Sequence, residues 1–270
     1  MCELLAMSCR HPARLSKSLT VLASHAQGSS RNRDGWGAAY FQGSEIALYQ
    51  GASAADSSHE VRQLEKDGPL TNLCMAYIRH ATQGPVGLQN TGPFVRELNN
   101  RKRVFIHNGN LNNLENSQLY TEGRFKPFGE TDSEKAFLLL LEILRRIEDE
   151  YGVFPSLNAR LDAVANIAAT LRRFGPASFL YADGDALFAH ADRRIQPLTG
   201  KVSAPALFSL ECPVDEPTSF VRESKLPDAN SAQQIVLIAS VPLSNEAWKP
   251  IPEGAVIAIQ NGRVVASQFI

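Results

Sequence analysis

Residues 132–151 read Asp-Ser-Glu-Lys-Ala-Phe-Leu-Leu-Leu-Leu-Glu-Ile-Leu-Arg-Arg-Ile-Glu-Asp-Glu-Tyr, with no glycine or proline to break a helix. Phe137, Leu140, Leu141, Leu144 and Ile147 recur at helical spacing and form one apolar stripe, while Glu142, Arg145, Arg146 and Asp149 fall on the opposite face. A second helix is expected over Leu157 to Phe174. Before this pair the chain alternates short apolar runs and turns. Strands are expected at Gly37–Phe41 and Glu45–Tyr49 around Gln42-Gly43, then at Cys74–Ile78 and Val104–His107. After it come Ala177–Tyr181, Ala186–His190, Ala206–Leu210 and Ile235–Ser240. A closing hairpin joins Val256–Ile259 to Arg263–Ser267 across Asn261-Gly262. Strand runs, then two helices, then strand runs predict an α+β fold of antiparallel sheets with helices packed in layers. Leu15, Leu19 and Leu22 also predict a helix from about Ala13 to His25, and the proline-rich stretch from Pro197 to Pro227 reads as irregular surface.

Composition narrows the function classes. The 270 residues are 44% hydrophobic, enough for a substantial core, and we read residues 1–270 as a single domain. A net charge of −1 argues against a nucleic-acid partner, which needs a concentrated basic face. The longest apolar run, Ala136–Leu141, is far too short to span a bilayer, and the N-terminus lacks the pattern of a secretory signal. Cys2, Cys9, Cys74 and Cys212 show neither zinc-ligand spacing nor a disulfide framework. The expectation is a cytoplasmic protein with no metal and no cofactor.

Cys2 directly follows the initiator methionine. Removal of Met1 would leave a thiol and a free α-amine on one residue, and an amine with a pKa of about 8 can take the thiol proton near neutral pH. A nucleophile of this kind acting on an amide needs donors for the oxyanion. Asn108-Gly109 offers a side-chain amide beside a glycine backbone N–H, although Asn-Gly is equally a common hairpin turn. A substrate with an amino-acid head needs a cation for its carboxylate and an anion for its ammonium, roles that Arg79 and Asp132 suit. Thr131-Asp132-Ser133-Glu134 is at the same time a capping-box pattern opening the long helix, and Asp132 suits the positive end of its dipole.

Met1-Cys2, Asp34-Gly35-Trp36-Gly37, Arg79-His80-Ala81-Thr82, His107-Asn108-Gly109 and Glu130-Thr131-Asp132-Ser133-Glu134 occur in the order seen in class II glutamine amidotransferases, which are N-terminal-nucleophile enzymes. The chain most resembles their stand-alone branch, which includes bacterial proteins of unassigned acceptor and hydrolases of γ-glutamyl compounds in thiol metabolism. Ile238–Leu243 and Asn245–Trp248 resemble that branch's C-terminal segment, so the likeness covers nearly the whole chain.

The resemblance implies a four-layer αββα sandwich, two antiparallel sheets between helical layers. It implies Cys2 as nucleophile with its own amine as base, and Asn108 and Gly109 as the oxyanion hole. Arg79 and Asp132 become the clamps on the substrate's α-carboxylate and α-ammonium, with Thr82 lining the same pocket. The substrate implied is glutamine or another γ-glutamyl small molecule, cleaved through a γ-glutamyl thioester. Ammonia would pass to a separate synthase subunit, since the chain has no nucleotide-binding glycine loop, or the enzyme would be a simple γ-glutamyl hydrolase.

Two positions depart from the family: Gly92 stands where relatives commonly carry a histidine before Pro-Phe, and Gln83 where some carry one after the threonine. His80 and His107 are expected to support by hydrogen bonding, and His11, His25, His59 and His190 to be structural or solvent-facing. Asp34, Trp36 and the loop from Gly28 to Arg33 are candidates for the distal pocket, Trp36 being equally suited to the core. A non-catalytic glutamine-binding subunit and an amidase acting on another acyl group remain as alternatives.

Overall fold

The computed structural model describes every residue except 16, 29, 118–122, 197–198, 213–220 and 225–231. In chain order its elements are Glu3–Leu15 (β1), Lys17–Ser24 (α1), Trp36–Gln42 (β2), Glu45–Gly51 (β3), His59–Asp67 (α2), Thr71–Ile78 (β4), Phe94–Leu98 (β5) and Arg101–Gly109 (β6). Asp132–Tyr151 (α3) and Leu157–Leu171 (α4) follow, then Ala177–Ala182 (β7), Leu187–His190 (β8), Arg194–Ile195 (β9), Val202–Ser203 (β10), Phe208–Cys212 (β11) and Val221–Ser224 (β12). The chain ends with Ile235–Ala239 (β13), Lys249–Pro250 (β14), Ala255–Gln260 (β15) and Arg263–Phe269 (β16).

Two antiparallel sheets hold the structure together. One runs β14-β11-β13-β1-β4-β2-β3, with β12 also paired to β1, and the other runs β16-β15-β8-β7-β6-β5. Three apolar clusters separate four layers. Leu4, Ala6, Met75, Tyr77, Ile106 and Leu180 lie between the sheets. Leu19, Leu22, Val61 and Leu64 bring α1 and α2 onto the outer face of the first sheet. Phe137, Leu141, Leu144, Val164 and Ala168 bring α3 and α4 onto the outer face of the second. Phe105 of β6 stacks on Phe137 of α3 with ring centroids 5.3 Å apart and fixes the start of that helix over the end of β6. The fold is the four-layer αββα sandwich.

The structure corrects several expectations. The chain from Ala13 to Leu15 continues β1, so the first helix begins only at Lys17. The stretch Leu4–Met7 is buried on both faces in the middle of a sheet, so it lacks the alternation that marks a half-exposed strand. His107-Asn108-Gly109 is no turn: it closes β6, with Asn108 opposite Ser178 and Gly109 opposite Ala177 of β7. Asn261 and Gly262 do form the expected turn, with φ of 50° and 72°, the positive pair a type I′ hairpin needs. The stretch from Pro197 to Pro227, expected as irregular surface, instead contributes β10, β11 and β12, while 197–198, 213–220 and 225–227 lie outside the described residues.

Candidate active site

Cys2 enters the central strand β1, and the pairing of Leu4 with Tyr77 sets β4 beside it. Side chains alternate across a strand, so Cys2, Leu4 and Ala6 share the inter-sheet face with Met75 and Tyr77. Past the end of β4, Arg79 to Thr82 turn over the thiol. That segment is tied down from the other side: the Asp34 carboxylate accepts from Ala81 N at 2.7 Å, and Arg79 N donates to Gly35 O at 2.8 Å. Asp34 therefore braces the arginine segment, and Trp36 is a core residue at 4% exposure.

Cys2, Arg79, Thr82, Gly109 and Asp132 all line one cleft together with Tyr77. Its free space is about 20 Å³, room for about one water, so a glutamate-sized head enters only if the lining shifts. Two larger depressions of about 500 and 520 Å³ open at the β5–β6 and β7–β8 turns, at the far end of β6 from Asn108. They are lined by Asn99, Arg101 and Asp185 among others and hold none of the candidate site residues, which gather at the small cleft.

The Cys2 thiol is enclosed. Tyr77 donates its hydroxyl to Sγ at 2.9 Å, His80 N donates at 3.3 Å, and Sγ lies 3.4 Å from His80 O. Burial pushes the thiol pKa up, opposed by the hydrogen bonds from Tyr77 and His80. The terminal amine, here on Met1, is shifted down by burial and by Arg194 and Arg31 nearby. The Met1 side chain lies against Ile195, whose N–H reaches Sδ at 2.9 Å.

Asp132 is the first residue of α3 and only 4% exposed. Its Oδ2 accepts from Leu111 N at 2.7 Å and its Oδ1 from Ser133 N at 2.9 Å. Thr131 caps the helix by accepting from Glu134 N at 3.2 Å. The expected capping box is only half formed, because the Glu134 carboxylate instead accepts from Phe128 N and Gly129 N and pairs with Arg96.

Arg79 is 2% exposed, and its guanidinium donates to Pro85 O, Gln83 O and Gly84 O at 3.0, 2.9 and 3.2 Å. The cation thus folds the 83–85 loop around itself at the edge of the cleft. Gln83 reaches Asn110 at 2.8 Å, and Asn90 links Pro85 O to Glu130 N, so these loop amides hold the rim.

Asn108 is fully buried, and neither amide atom has a hydrogen-bond partner among the described residues. An unsatisfied buried amide is costly and calls for an explanation. Alternation along β6 puts it on the inter-sheet face with Ile106, the side on which Cys2 packs. Gly109 admits no side chain: a Cβ there would stand 1.8 Å from Pro176 O and 2.5 Å from His107 Nε2. His107 bonds Ser133 Oγ through Nδ1 at 2.9 Å, and burial lowers its pKa, so the ring is a neutral support for the start of α3.

Among the described residues no cluster of three or more potential metal ligands occurs, and no helix is long and apolar enough to cross a membrane. Sequence reasoning missed Tyr77 and Asn90 in the lining. Tyr77 is hidden in an apolar run that reads as plain core strand, and Asn90 carries no local signal.

A cysteine at position 2, packed between the two antiparallel sheets of an αββα sandwich, suits an N-terminal-nucleophile fold, and comparison with known proteins gives the family. The chain belongs to the class II glutamine amidotransferases, whose family description matches residues 1–269. It is 32% identical over 257 residues to the candidate glutamine amidotransferase YafJ of Escherichia coli (strain K12), covering 94% of this chain and 95% of that one. The crystal structure of a predicted glutamine amidotransferase from Pseudomonas aeruginosa PA01 is similar at 26% identity and a TM-score of 0.68, covering 98% of this chain and all of that one. The glutamine phosphoribosylpyrophosphate amidotransferase of B. subtilis shares the fold at 18% identity and a TM-score of 0.63, with this chain matching 49% of its length.

Proposed function

We propose that the chain hydrolyses the γ-amide of glutamine or of a γ-glutamyl compound through a Cys2 thioester. Once Met1 is removed, the α-amine takes the proton from Sγ and the thiolate adds to the γ-carbonyl carbon. The oxyanion is held by the Asn108 side-chain amide and Gly109 N–H. On collapse the C–N bond breaks, and the ammonium returns its proton to the departing nitrogen. Water, activated by the same amine, then adds to the thioester; glutamate leaves and the thiol is restored. Arg79, which has a further Nη1–H beyond the one bound to Pro85, and Asp132 hold the α-carboxylate and α-ammonium. Thr82 lines the entrance.

The observation that carries this reading is the Asn108 amide, buried without a partner among the described residues on the face where Cys2 packs, while Arg79 and Asp132 line the cleft beside that cysteine. Four cysteines without a disulfide framework, three of them buried, suit a cytoplasmic setting. The ammonia goes to a separate synthase subunit or is simply released, and full activity of the isolated chain in the absence of any co-purifying partner decides for release.

The test is glutamate release from glutamine and a panel of γ-glutamyl amides. The reading expects turnover of at least one, and a loss of about 100-fold or more in kcat for Asn108→Ala. Tight glutamine binding with no glutamate from any of them would mean a non-catalytic binding subunit instead.

A further inference from the structure

Among the described residues Tyr77 supplies the side-chain hydrogen bond to the sulfur. Its hydroxyl points at Cys2 Sγ from 2.9 Å, the residue is 5% exposed, and its ring sits in the inter-sheet cluster with Met75 and Ile106. A neutral thiol is a poor acceptor for a buried hydroxyl, whereas a thiolate is a strong one. Burial and the neighbouring Cys2 push the Tyr77 ionisation well above its ordinary value, so the hydroxyl keeps its proton, and remains a donor, while the thiol titrates. His80 N–H supplies a second donor at 3.3 Å.

Position 92, which has no side chain, lies beside this ring. A Cβ on Gly92 would make ordinary contacts at 3.4 Å with Tyr77 Cδ1, 3.5 Å with Cε1 and 3.4 Å with Ile106 Cγ2. A methyl would just fit; anything larger would compete with the ring for the space beside Cys2. The glycine that departs from the family pattern is thus a neighbour of the tyrosine at the sulfur.

We propose that Tyr77 is a catalytic residue of this site: its hydroxyl and His80 N–H form a two-donor cradle that favours thiolate over thiol at Cys2 and fixes the direction from which sulfur attacks. The proposal rests on Cys2 being the nucleophile. The thiol proton goes to the amine, and Tyr77 keeps its own. The contact is strongest before attack and weakens as charge moves from sulfur to the carbonyl oxygen, so its effect is on the thiolate population.

The experiment is the pH dependence of Cys2 alkylation by iodoacetamide, read by peptide mass spectrometry on the full chain, for wild type and Tyr77→Phe. This readout needs no turnover. Losing the donor should raise the alkylation midpoint by about one pH unit, a tenfold change in the thiol equilibrium. A less stabilised thiolate is also more reactive, so the high-pH plateau should rise about threefold while the rate at pH 7 falls about threefold. A structural effect alone would scale the rate at every pH and leave the midpoint in place. Difluorotyrosine at position 77 keeps the shape and strengthens the donor, and should move the midpoint down; it also serves if Tyr77→Phe does not fold.

Coincident midpoints in all variants overturn the cradle, even if glutamate is released normally. Shifted midpoints without glutamate release from any γ-glutamyl amide leave the cradle standing and overturn the hydrolytic function.

Discussion

Asp132 is given two roles, and substitution can separate them. Asp132→Ala removes the acceptor of Leu111 N and Ser133 N, both bound within 2.9 Å, and leaves the N–H of the fully buried Leu111 unpaired. Two hydrogen bonds to a charged acceptor contribute about 1.5 kcal/mol each, and the carboxylate at the helix N-terminus about 0.5 kcal/mol more. The expected loss is about 3–4 kcal/mol, or roughly 6–10 °C in Tm for a chain of this size. Asp132→Asn keeps one acceptor oxygen and should lose about half as much. It nevertheless removes the negative charge facing the substrate ammonium, which at about 2 kcal/mol lowers kcat/KM about 30-fold. Chemical denaturation and glutamate-release kinetics on the two variants check this. If Asp132→Ala unfolds within about 0.5 kcal/mol of wild type, the hydrogen bonds do not anchor α3 as described. If Asp132→Asn keeps wild-type kcat/KM, Asp132 does not hold the substrate.

Gly109→Ala forces a Cβ to 1.8 Å from Pro176 O, so the β6–β7 junction must spread; we expect about 3 kcal/mol of destabilisation and loss of glutamate release, measured by melting and by activity. Arg103 and Glu148 form a buried pair at 2.6 Å, so Arg103→Met alone should cost about 3–5 kcal/mol, while the double variant Arg103→Met/Glu148→Gln recovers most of it in urea unfolding. His190 is fully buried beside Ala255 O, and burial depresses its pKa to about 4. A buried base that resists protonation leaves the unfolded chain binding the proton first, so stability falls as pH drops from about 6.5 towards 4, by about 3 kcal/mol in all. His190→Gln should flatten the Tm profile over that window; an unchanged slope would show that His190 does not set it.

The helices on the second sheet were legible because α3 has a clean apolar stripe, a Thr131 cap and a Gly152 stop, signals that local sequence carries in full. The central strand was not, since Leu4–Met7 is buried on both faces and its meaning comes from β4 and β13, which are distant in sequence. Among the site residues, chemistry was readable and geometry was not. Arg79 lines the cleft, yet the three carbonyls it binds belong to a loop whose folding back is a tertiary event. Asn108-Gly109 carries the same letters as a hairpin turn, and only the pairing of β6 with β7 shows it to be strand. Tyr77 had no signal: within Cys74–Ile78 it is one more apolar residue, and its hydroxyl matters only because Leu4 lies opposite and brings Cys2 within reach.

The central claim is that Cys2, freed of Met1, is the nucleophile for a γ-glutamyl carbonyl. The most direct measurement is mass spectrometry of the mature chain before and after exposure to an electrophilic glutamine analogue. The account predicts a chain lacking Met1 that takes up one equivalent of label on Cys2, with glutamine protecting it. A chain that retains Met1 and still releases glutamate at full rate, or a label that settles elsewhere than Cys2, would contradict it.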